Sequence, residues 1–195
     1  MSFRNEEKII TTFFQQSILL KEIKKLGGYL LYPKRYITSI YFDTNNFQMF
    51  NDSEESILPR KKIRIRHYDQ DIYSSNFEIK ISSTEGKFKQ SFKLDKKQKI
   101  EYLSKGYIDQ YYGHCKPVVQ ISYDRVYYHL GELRITFDNN IKYKNYASKY
   151  LINEKMSVVE LKSSSKKEID KIDNLLSLSR QRFSKYSRAC IELNV

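Results

Sequence analysis

Alternation of polar and apolar residues is the strongest signal in this chain, and it is clearest at 61–68. There, Lys62, Arg64 and Arg66 alternate with two isoleucines. A period of two is typical of a β-strand with one apolar and one polar face. Because the polar face is cationic here, the pattern predicts a strand with two arginines on one side, roughly 7 Å apart. Such a pair suits phosphate or carboxylate oxygens, which match the guanidinium fork.

The same alternation recurs along the chain and predicts a protein built mainly of short strands. Together with the first, it predicts eight strands, and the other seven lie at 6–11, 36–43, 76–82, 87–94, 117–128, 132–138 and 157–162. Short strands separated by turns, with few helices, are typical of an antiparallel sandwich or barrel. The predicted fold class is therefore α+β, mainly β, and antiparallel.

Helical signals are fewer and lie between the strands. Helices are predicted over 13–26, within 45–56, from an Asp95 cap to Leu103, and after 163–165. The stretch 142–155 is predicted to be a basic loop, and 182–186 an extended or irregular segment. If the helices pack outside on the apolar faces, the charged faces line a closed eight-stranded barrel with room for one small ligand. A sheet that turns a salt-bridged face to water is the competing interpretation.

The polar faces of these strands carry an unusual set of charged residues. The cations are Lys8, Arg64, Arg66, Lys80, Lys89, Arg134 and Lys162, and the interleaved carboxylates are Glu6, Glu78 and Glu160. Buried unpaired charges are costly, so a lumen lined in this way needs water, counter-ions or a polyanion. The carboxylates would repel a phosphate chain unless Mg²⁺ or Mn²⁺ bridges them. The pattern therefore predicts a site for a metal–polyphosphate complex.

The composition of the chain further limits the class of partner that it is expected to bind. The chain has 195 residues and a formal net charge of +12, which favours a polyanionic partner such as nucleic acid, an anionic membrane surface or a phosphate-rich small molecule. Nucleic acid is not expected, because the phenylalanines of the strands lie on the apolar faces and offer no stacking platform. No apolar run is long enough to span a bilayer, and no signal peptide is expected. Two cysteines without metal-ligand spacing favour a reducing cytoplasmic setting.

Several short stretches resemble the VTC domain of polyphosphate polymerases, within the triphosphate tunnel metalloenzyme superfamily. They come in the family's order and span nearly the whole chain. The matching stretches are Glu6-Glu7-Lys8, Ser39-Ile40-Tyr41-Phe42-Asp43-Thr44, Lys62-Ile63-Arg64-Ile65-Arg66, Phe77-Glu78-Ile79-Lys80, Tyr123-Asp124-Arg125, Leu133-Arg134-Ile135-Thr136-Phe137-Asp138, Val159-Glu160-Leu161-Lys162 and Phe183-Ser184-Lys185-Tyr186.

The resemblance implies a single domain over 1–195 that forms an eight-stranded antiparallel tunnel. It implies phosphate-binding roles for Lys8, Arg64, Arg66, Lys80, Lys89, Arg125, Arg134, Arg182 and Lys185. The family's metal-binding glutamate falls on Glu160, and Glu78 and Glu6 are further candidates. Tyr123 is a candidate substrate contact, with packing as its competing role. The related cyclase and thiamine-triphosphatase branch begins E-x-E-x-K, whereas Arg4 stands at the first glutamate here, which favours the polymerase branch.

The leading functional hypothesis is an enzyme that moves the terminal phosphate of ATP onto inorganic polyphosphate, with Mn²⁺ or Mg²⁺ as cofactor. The residues expected to act in transfer are Lys8, Arg64, Arg66, Lys80, Arg125, Arg134 and Lys162. Positioning and charge neutralisation carry such chemistry. A hydrolase of tripolyphosphate or nucleoside triphosphate and a non-catalytic polyphosphate binder are the alternatives. A membrane partner is not inferred from this chain.

Overall fold

The structure is a computed structural model that describes residues 5–69, 71, 74–164, 169–170 and 183–195. The strands are β1 (Asn5–Thr11), β2 (Tyr29–Asp43), β3 (Arg60–Tyr68), β4 (Ser75–Ser83), β5 (Gly86–Leu94), β6 (Tyr107–Asp109), β7 (Gly113–Leu130), β8 (Leu133–Asn145), β9 (Leu151–Asn153) and β10 (Ser157–Ser163). The helices are α1 (Phe13–Lys25), α2 (Gln48–Glu54), α3 (Lys96–Lys105) and α4 (Lys185–Leu193). Strands dominate, and seven pairs of neighbouring strands among the described residues are antiparallel, so the predicted mainly-β class is confirmed.

The chain divides into two compact units, each assembled from three separate segments. The first unit comprises 1–35, 123–141 and 154–183, and the second comprises 36–122, 142–153 and 184–195. The strands β2, β7 and β8 each contribute residues to both units. That residues 1–195 form a single domain stays a prediction.

In the first unit the strand order is β1–β10–β8–β7. Isoleucines and other apolar residues of β1, β8 and β10 form one cluster with Leu19 and Ile23 of α1. The helix begins after Thr12, whose hydroxyl accepts from the amide of Gln15 while the Gln15 side chain accepts from the amide of Thr12. The apolar side of these strands is thus covered by α1, which leaves the polar side for the charged residues.

In the second unit the order is β2–β3–β4–β5, with β6 paired to β7 and β9 to β8. The apolar faces of β2, β3 and β4 form a cluster with Met49 of α2, and Tyr102 and Leu103 of α3 pack against it. Asp95 caps α3, and Gly106 ends it at a positive φ of 87° that a side chain rarely adopts. The helices again lie on the apolar side of the strands, as the sequence predicts.

Two local predictions are wrong. The stretch 142–155 is not wholly a loop, because β8 continues to Asn145 and β9 pairs with it. The end of the chain is not extended, because α4 begins at Lys185. Its buried residues Tyr186, Ala189, Cys190 and Leu193 recur at helical spacing, and Ser184 caps the helix by accepting from the amide of Ser187.

Some predictions fall on parts of the chain that the structure does not describe. Arg4 and Arg182 lie outside the described residues, as does most of the helix predicted after 163–165, of which 169–170 are helical. Among the residues that are described, no helix has the length and hydrophobicity to cross a membrane.

Candidate functional site

The charged face of β3 in the second unit is organised around Arg64. Tyr41 of β2 and Glu78 of β4 occupy the positions directly opposite Arg64 on its two neighbouring strands. The guanidinium uses Nε and Nη2 to contact Glu78 Oε2 at 2.7 and 2.6 Å, and Nη1 donates to Tyr41 Oη at 2.8 Å. Strand register therefore fixes the arginine from both sides.

Glu78 is the anionic centre of this second-unit cluster. Lys89 Nζ lies 2.5 Å from its Oε1, and Arg66 Nη1 lies 3.9 Å from its Oε2. Burial by itself would raise the pKa of this carboxyl, but the charges of Arg64, Arg66 and Lys89 outweigh burial and lower the pKa to about 2. Arg66 is itself buried and donates from Nε to Ser39 Oγ at 3.0 Å. One carboxylate thus holds three cations in place.

A row of three lysines crosses the same sheet. Lys62 stands directly opposite Lys80, which stands directly opposite Lys89. Like charges in directly opposed positions are destabilising. Lys62 Nζ donates to Ser184 Oγ at 2.7 Å, next to Lys185 at the start of α4. The lysine row gives β3, β4 and β5 a cationic stripe.

A pair of tyrosines supports the arginine cluster. The ring of Tyr41 stacks on that of Tyr186 with centroids 5.0 Å apart, and the Tyr186 hydroxyl donates to the buried Asp43. Burial would raise the pKa of Tyr41, but Arg64 and Arg66 outweigh it and lower the pKa to about 8. Neither Tyr41 nor Tyr186 is among the predicted site residues, although Tyr41 shares the strand face of Ser39 and Asp43.

Glu160 is the anionic centre of the first unit. Lys162 Nζ lies 2.5 Å from Glu160 Oε1 and 3.2 Å from Glu6 Oε2. Arg125 Nη2 lies 3.4 Å from Glu160 Oε2, and Lys8 stands directly opposite Glu160 on β1. Burial would raise the pKa of Glu160, but Arg125, Lys162 and Lys8 together hold it well below its ordinary value. The carboxylate stays ionised because cations surround it.

Arg125 is fixed by a residue that the sequence pattern did not single out. Its Nε and Nη2 donate to Asp138 Oδ1 and Oδ2 at 2.5 and 2.6 Å, and Asp138 is fully buried. The guanidinium lies over the ring of Tyr123, 5.3 Å from its centroid. Tyr123 is itself buried, so the structure places it as a packing partner of Arg125. Asp138 shares the strand face of Arg134, which is the signal that could have identified it.

Two polar atoms of β8 complete the first-unit cluster. Arg134 stands opposite Lys162 and Thr136 stands opposite Glu160. Arg134 Nε and Thr136 Oγ1 are both buried and have no hydrogen-bond partner among the residues that the structure describes. Within that part of the chain, the cluster therefore contains two donors that are not satisfied.

Comparison with known proteins now assigns the family. The family model of the VTC domain matches residues 3–194. This chain belongs to the VTC domain family. The resemblance to the VTC domain that the sequence motifs indicate is thereby confirmed. No curated protein sequence matches this VTC domain at a significant level.

Solved structures share the fold of this VTC domain at low sequence identity. A candidate adenylate cyclase from Bacillus halodurans superimposes with a TM-score of 0.63 at 14% identity, over 94% of this chain and 96% of the other. A candidate adenylyl cyclase from Hippeastrum, described as having a dominant triphosphatase activity, superimposes with a TM-score of 0.62 at 13% identity, over 98% of this chain and 96% of the other. A protein from Pyrococcus horikoshii superimposes with a TM-score of 0.62 at 13% identity, over 97% of this chain and 99% of the other. These matches confirm the predicted fold class.

The structure distributes the predicted site residues of the VTC domain over the two units. The first unit brings together Lys8, Glu6, Arg125, Arg134, Glu160 and Lys162. The second brings together Arg64, Arg66, Glu78 and Lys89, with Lys80 in the adjoining lysine row and Lys185 at the start of α4. That all of them line one lumen stays a prediction.

The first unit contains two of the carboxylates predicted to hold a divalent cation, Glu160 and Glu6. Among the described residues, no group of three His, Cys, Asp or Glu side chains is arranged to hold a metal ion. Mg²⁺, however, is usually held by one or two carboxylates together with substrate phosphate oxygens. Glu160 and Glu6 provide such a pair, since both contact the ammonium of Lys162. Glu78 contacts three cationic side chains and no second carboxylate is placed beside it among the described contacts, whereas Glu160 shares the Lys162 ammonium with Glu6.

The low pKa of Glu78 predicts an acid-sensitive stability. A folded-state pKa of about 2, against an ordinary value of 4.5, gives a stabilisation of about 3 kcal/mol. It is fully present above pH 4.5 and is lost as the pH falls toward 2. Urea unfolding between pH 6 and pH 3 should show a smaller loss for Glu78→Gln than for the wild type. Glu101→Gln, which removes an exposed ion pair with Lys105, is the control and should follow the wild type. Equal pH dependence of all three proteins would contradict the assignment.

Proposed function

We propose that this VTC domain transfers the terminal phosphate of ATP to a growing inorganic polyphosphate chain. The observation that supports it most is the gathering of cations around buried carboxylates. In the second unit Glu78 contacts Arg64, Arg66 and Lys89. In the first unit the cations contact three carboxylates, which are Glu160, Glu6 and Asp138. Each cluster is preorganised for oxyanions, since its cations are held in place before a ligand arrives. Membership of the VTC family supports the choice of substrate.

Phosphoryl transfer asks mainly for positioning and charge neutralisation. The attacking group is a terminal oxygen of the polymer, which bonds to the γ-phosphorus while the bond to the β–γ bridging oxygen breaks and ADP leaves. No covalent nucleophile from the protein is required. Arg64 and Arg66 bind phosphate oxygens through their guanidiniums, and Arg125 is rigidly aimed by Asp138.

The proposed cofactor is Mg²⁺ or Mn²⁺, held by Glu160 and Glu6. When bound, the cation neutralises charge on the phosphate oxygens. Lys162 and Lys8 flank the two carboxylates, and each can also stabilise an attacking or leaving oxygen. The proposed setting is the reducing cytoplasm, in keeping with two cysteines that are buried free thiols.

Hydrolysis is the second candidate function, with water in place of the polymer end. The triphosphatase activity stated for the Hippeastrum protein of the same fold favours it. Incubation of the purified protein with ATP and Mn²⁺, followed by separation of the products, distinguishes the two. Long polymer supports transfer, orthophosphate supports hydrolysis, and unchanged ATP would contradict both and leave a non-catalytic polyphosphate binder. A parallel sample with chelator is the control for metal dependence.

Tripolyphosphate should stabilise the protein against heat. A ligand that binds only the folded state at one hundred times its dissociation constant adds about 2.7 kcal/mol. For a chain of this size, that corresponds to an increase in Tm of about 5–10 °C. Calorimetry with millimolar tripolyphosphate, compared with sodium chloride of equal ionic strength, measures the shift. An identical Tm in the two samples would count against a triphosphate site.

A further inference from the structure

The unsatisfied polar atoms of β8 carry information about the ligand. Thr136 is 3% exposed, and its Oγ1 has no hydrogen-bond partner among the described residues. Arg134, two residues earlier on β8, has a buried Nε that also lacks a hydrogen-bond partner in this part of the chain. A buried polar group without a partner costs about 1–3 kcal/mol, and such groups are rare in native proteins. Two of them at successive positions of one strand face point to a shared partner that is not among the described residues.

The neighbours of these atoms define the face on which the partner lies. Ile135 and Phe137 point into the hydrophobic core of the first unit, so Arg134 and Thr136 belong to the opposite, polar face. Across β10, this face continues with Lys162 opposite Arg134 and Glu160 opposite Thr136. Thr136 is thus part of the charged cluster of the first unit, although it carries no charge.

Packing alone does not account for a threonine at this position. Valine has nearly the same shape, is favoured in strands and leaves no buried hydroxyl unsatisfied. A threonine that only packed would lower stability without a compensating contact. The hydroxyl is therefore explained by a partner that accepts its hydrogen bond.

The chemistry of the two donors selects the partner. Arg134 Nε can only donate, and the Thr136 hydroxyl beside it also has a proton to donate. A group that satisfies both is an acceptor with several anionic oxygens. Glu160 is already engaged by Lys162 and Arg125. The Cα atoms of the two residues are about 7 Å apart along the strand, since each residue of a strand rises about 3.3 Å. Both side chains therefore lie within reach of one short phosphate chain.

We propose that Thr136 is a substrate-binding residue that donates its hydroxyl to a phosphate oxygen of the triphosphate, beside Arg134. This inference rests on the proposed function. It adds a neutral hydrogen-bond donor to the cationic site, and this donor positions a phosphate oxygen without adding positive charge. Binding of the triphosphate then depends on the Thr136 hydroxyl as well as on the cations.

The test replaces Thr136 by valine, which removes the hydroxyl and keeps the shape. Titration calorimetry should show a dissociation constant for tripolyphosphate about 10-fold higher than that of the wild type, while the Tm without ligand is equal or higher. Thr136→Ser keeps the hydroxyl and should restore the affinity to within about 2-fold.

Thr11→Val is the matched control in the same unit. Thr11 is also fully buried on a strand, but its hydroxyl accepts from Gln16 at 3.1 Å and donates to the carbonyl of Ser157 at 3.4 Å. Its removal should lower the Tm and leave the affinity unchanged. The two variants are therefore expected to have opposite effects.

Each failure has a different meaning. If the wild type binds tripolyphosphate and Thr136→Val binds it equally well, the inference is overturned and the proposed function stands. If Thr136→Val loses stability as Thr11→Val does, the hydroxyl has a structural role and the inference is again overturned. If the wild type does not bind tripolyphosphate, the proposed function fails together with the inference.

Discussion

Replacement of Glu160 by glutamine should reduce turnover of ATP to less than about one hundredth of the wild-type rate. The amide has nearly the shape of the carboxylate but lacks the charge that the proposed divalent cation requires. It also leaves Lys162, Arg125 and Lys8 around a neutral group, so the positions of these cations become less fixed. Circular dichroism should still show a folded, mainly-β protein. Turnover is measured over a range of Mn²⁺ concentrations.

The control for Glu160→Gln is a glutamate of the same unit outside the cluster. Glu132 is exposed and accepts a hydrogen bond from Ser164, so Glu132→Gln should keep wild-type turnover. Because removal of one partner from a buried charge cluster is destabilising by about 3–5 kcal/mol, the two variants are compared well below the Tm of each. Unchanged metal-dependent turnover in folded Glu160→Gln would remove Glu160 from the metal site.

Replacement of Arg66 by alanine should weaken tripolyphosphate binding by about 1.5–3 kcal/mol, the range for hydrogen bonds to charged groups. Arg66→Lys should also weaken it, because lysine keeps the charge and loses the planar fork. Arg66 is a better residue than Arg64 for this test, because its ion pair with Glu78 is longer. Arg66 Nη1 lies 3.9 Å from Glu78 Oε2, whereas Arg64 Nη2 lies 2.6 Å from the same oxygen. Stability without ligand should therefore fall less for Arg66→Ala than for Arg64→Ala.

Calorimetric titration and a thermal melt of each arginine variant test both parts of this prediction. Arg188→Ala, which removes an exposed ion pair with Glu192 on α4, is the control and should keep wild-type affinity. If Arg66→Ala binds tripolyphosphate as tightly as the wild type, the second-unit cluster is a set of structural ion pairs, and its phosphate-binding role is lost.

The strands were predictable where one side is apolar and the other charged. Around Arg64 the alternation located β3 within one residue of its observed start. The first half of β2 was missed because Tyr29–Arg35 is largely exposed, contains Pro33 and has no alternation to read. The helix α4 was missed for a different reason. Its signal is the helical spacing of Tyr186, Ala189, Cys190 and Leu193, of which only Tyr186 lies within the segment 182–186 that was predicted to be extended.

The charged residues of the site were predictable from strand parity, whereas their partners were not. The family resemblance singles out Arg125, but it does not show that the Asp138 carboxylate accepts hydrogen bonds from both Nε and Nη2 of this arginine. Strand parity puts Glu78 on the same face as the cations, but it does not show that three of these cations contact the Glu78 carboxylate. Alternation puts Thr136 on the polar face beside Arg134, but its unsatisfied hydroxyl becomes visible only when burial and hydrogen bonds are known.

The lysine row of the second unit has a consequence for how the protein responds to salt. We expect the row, in which Lys89 is paired with Glu78, to attract small anions such as chloride to β3, β4 and β5. A polyphosphate bound along the row would return those anions to bulk solution, and the entropy of their release would add to its affinity, as it does for nucleic acids. Arg125 and Asp138, buried and directly bonded, are expected to be little affected by the same salt. If the proposed ligand binds there, the lysine row would therefore exchange small anions for the polyphosphate.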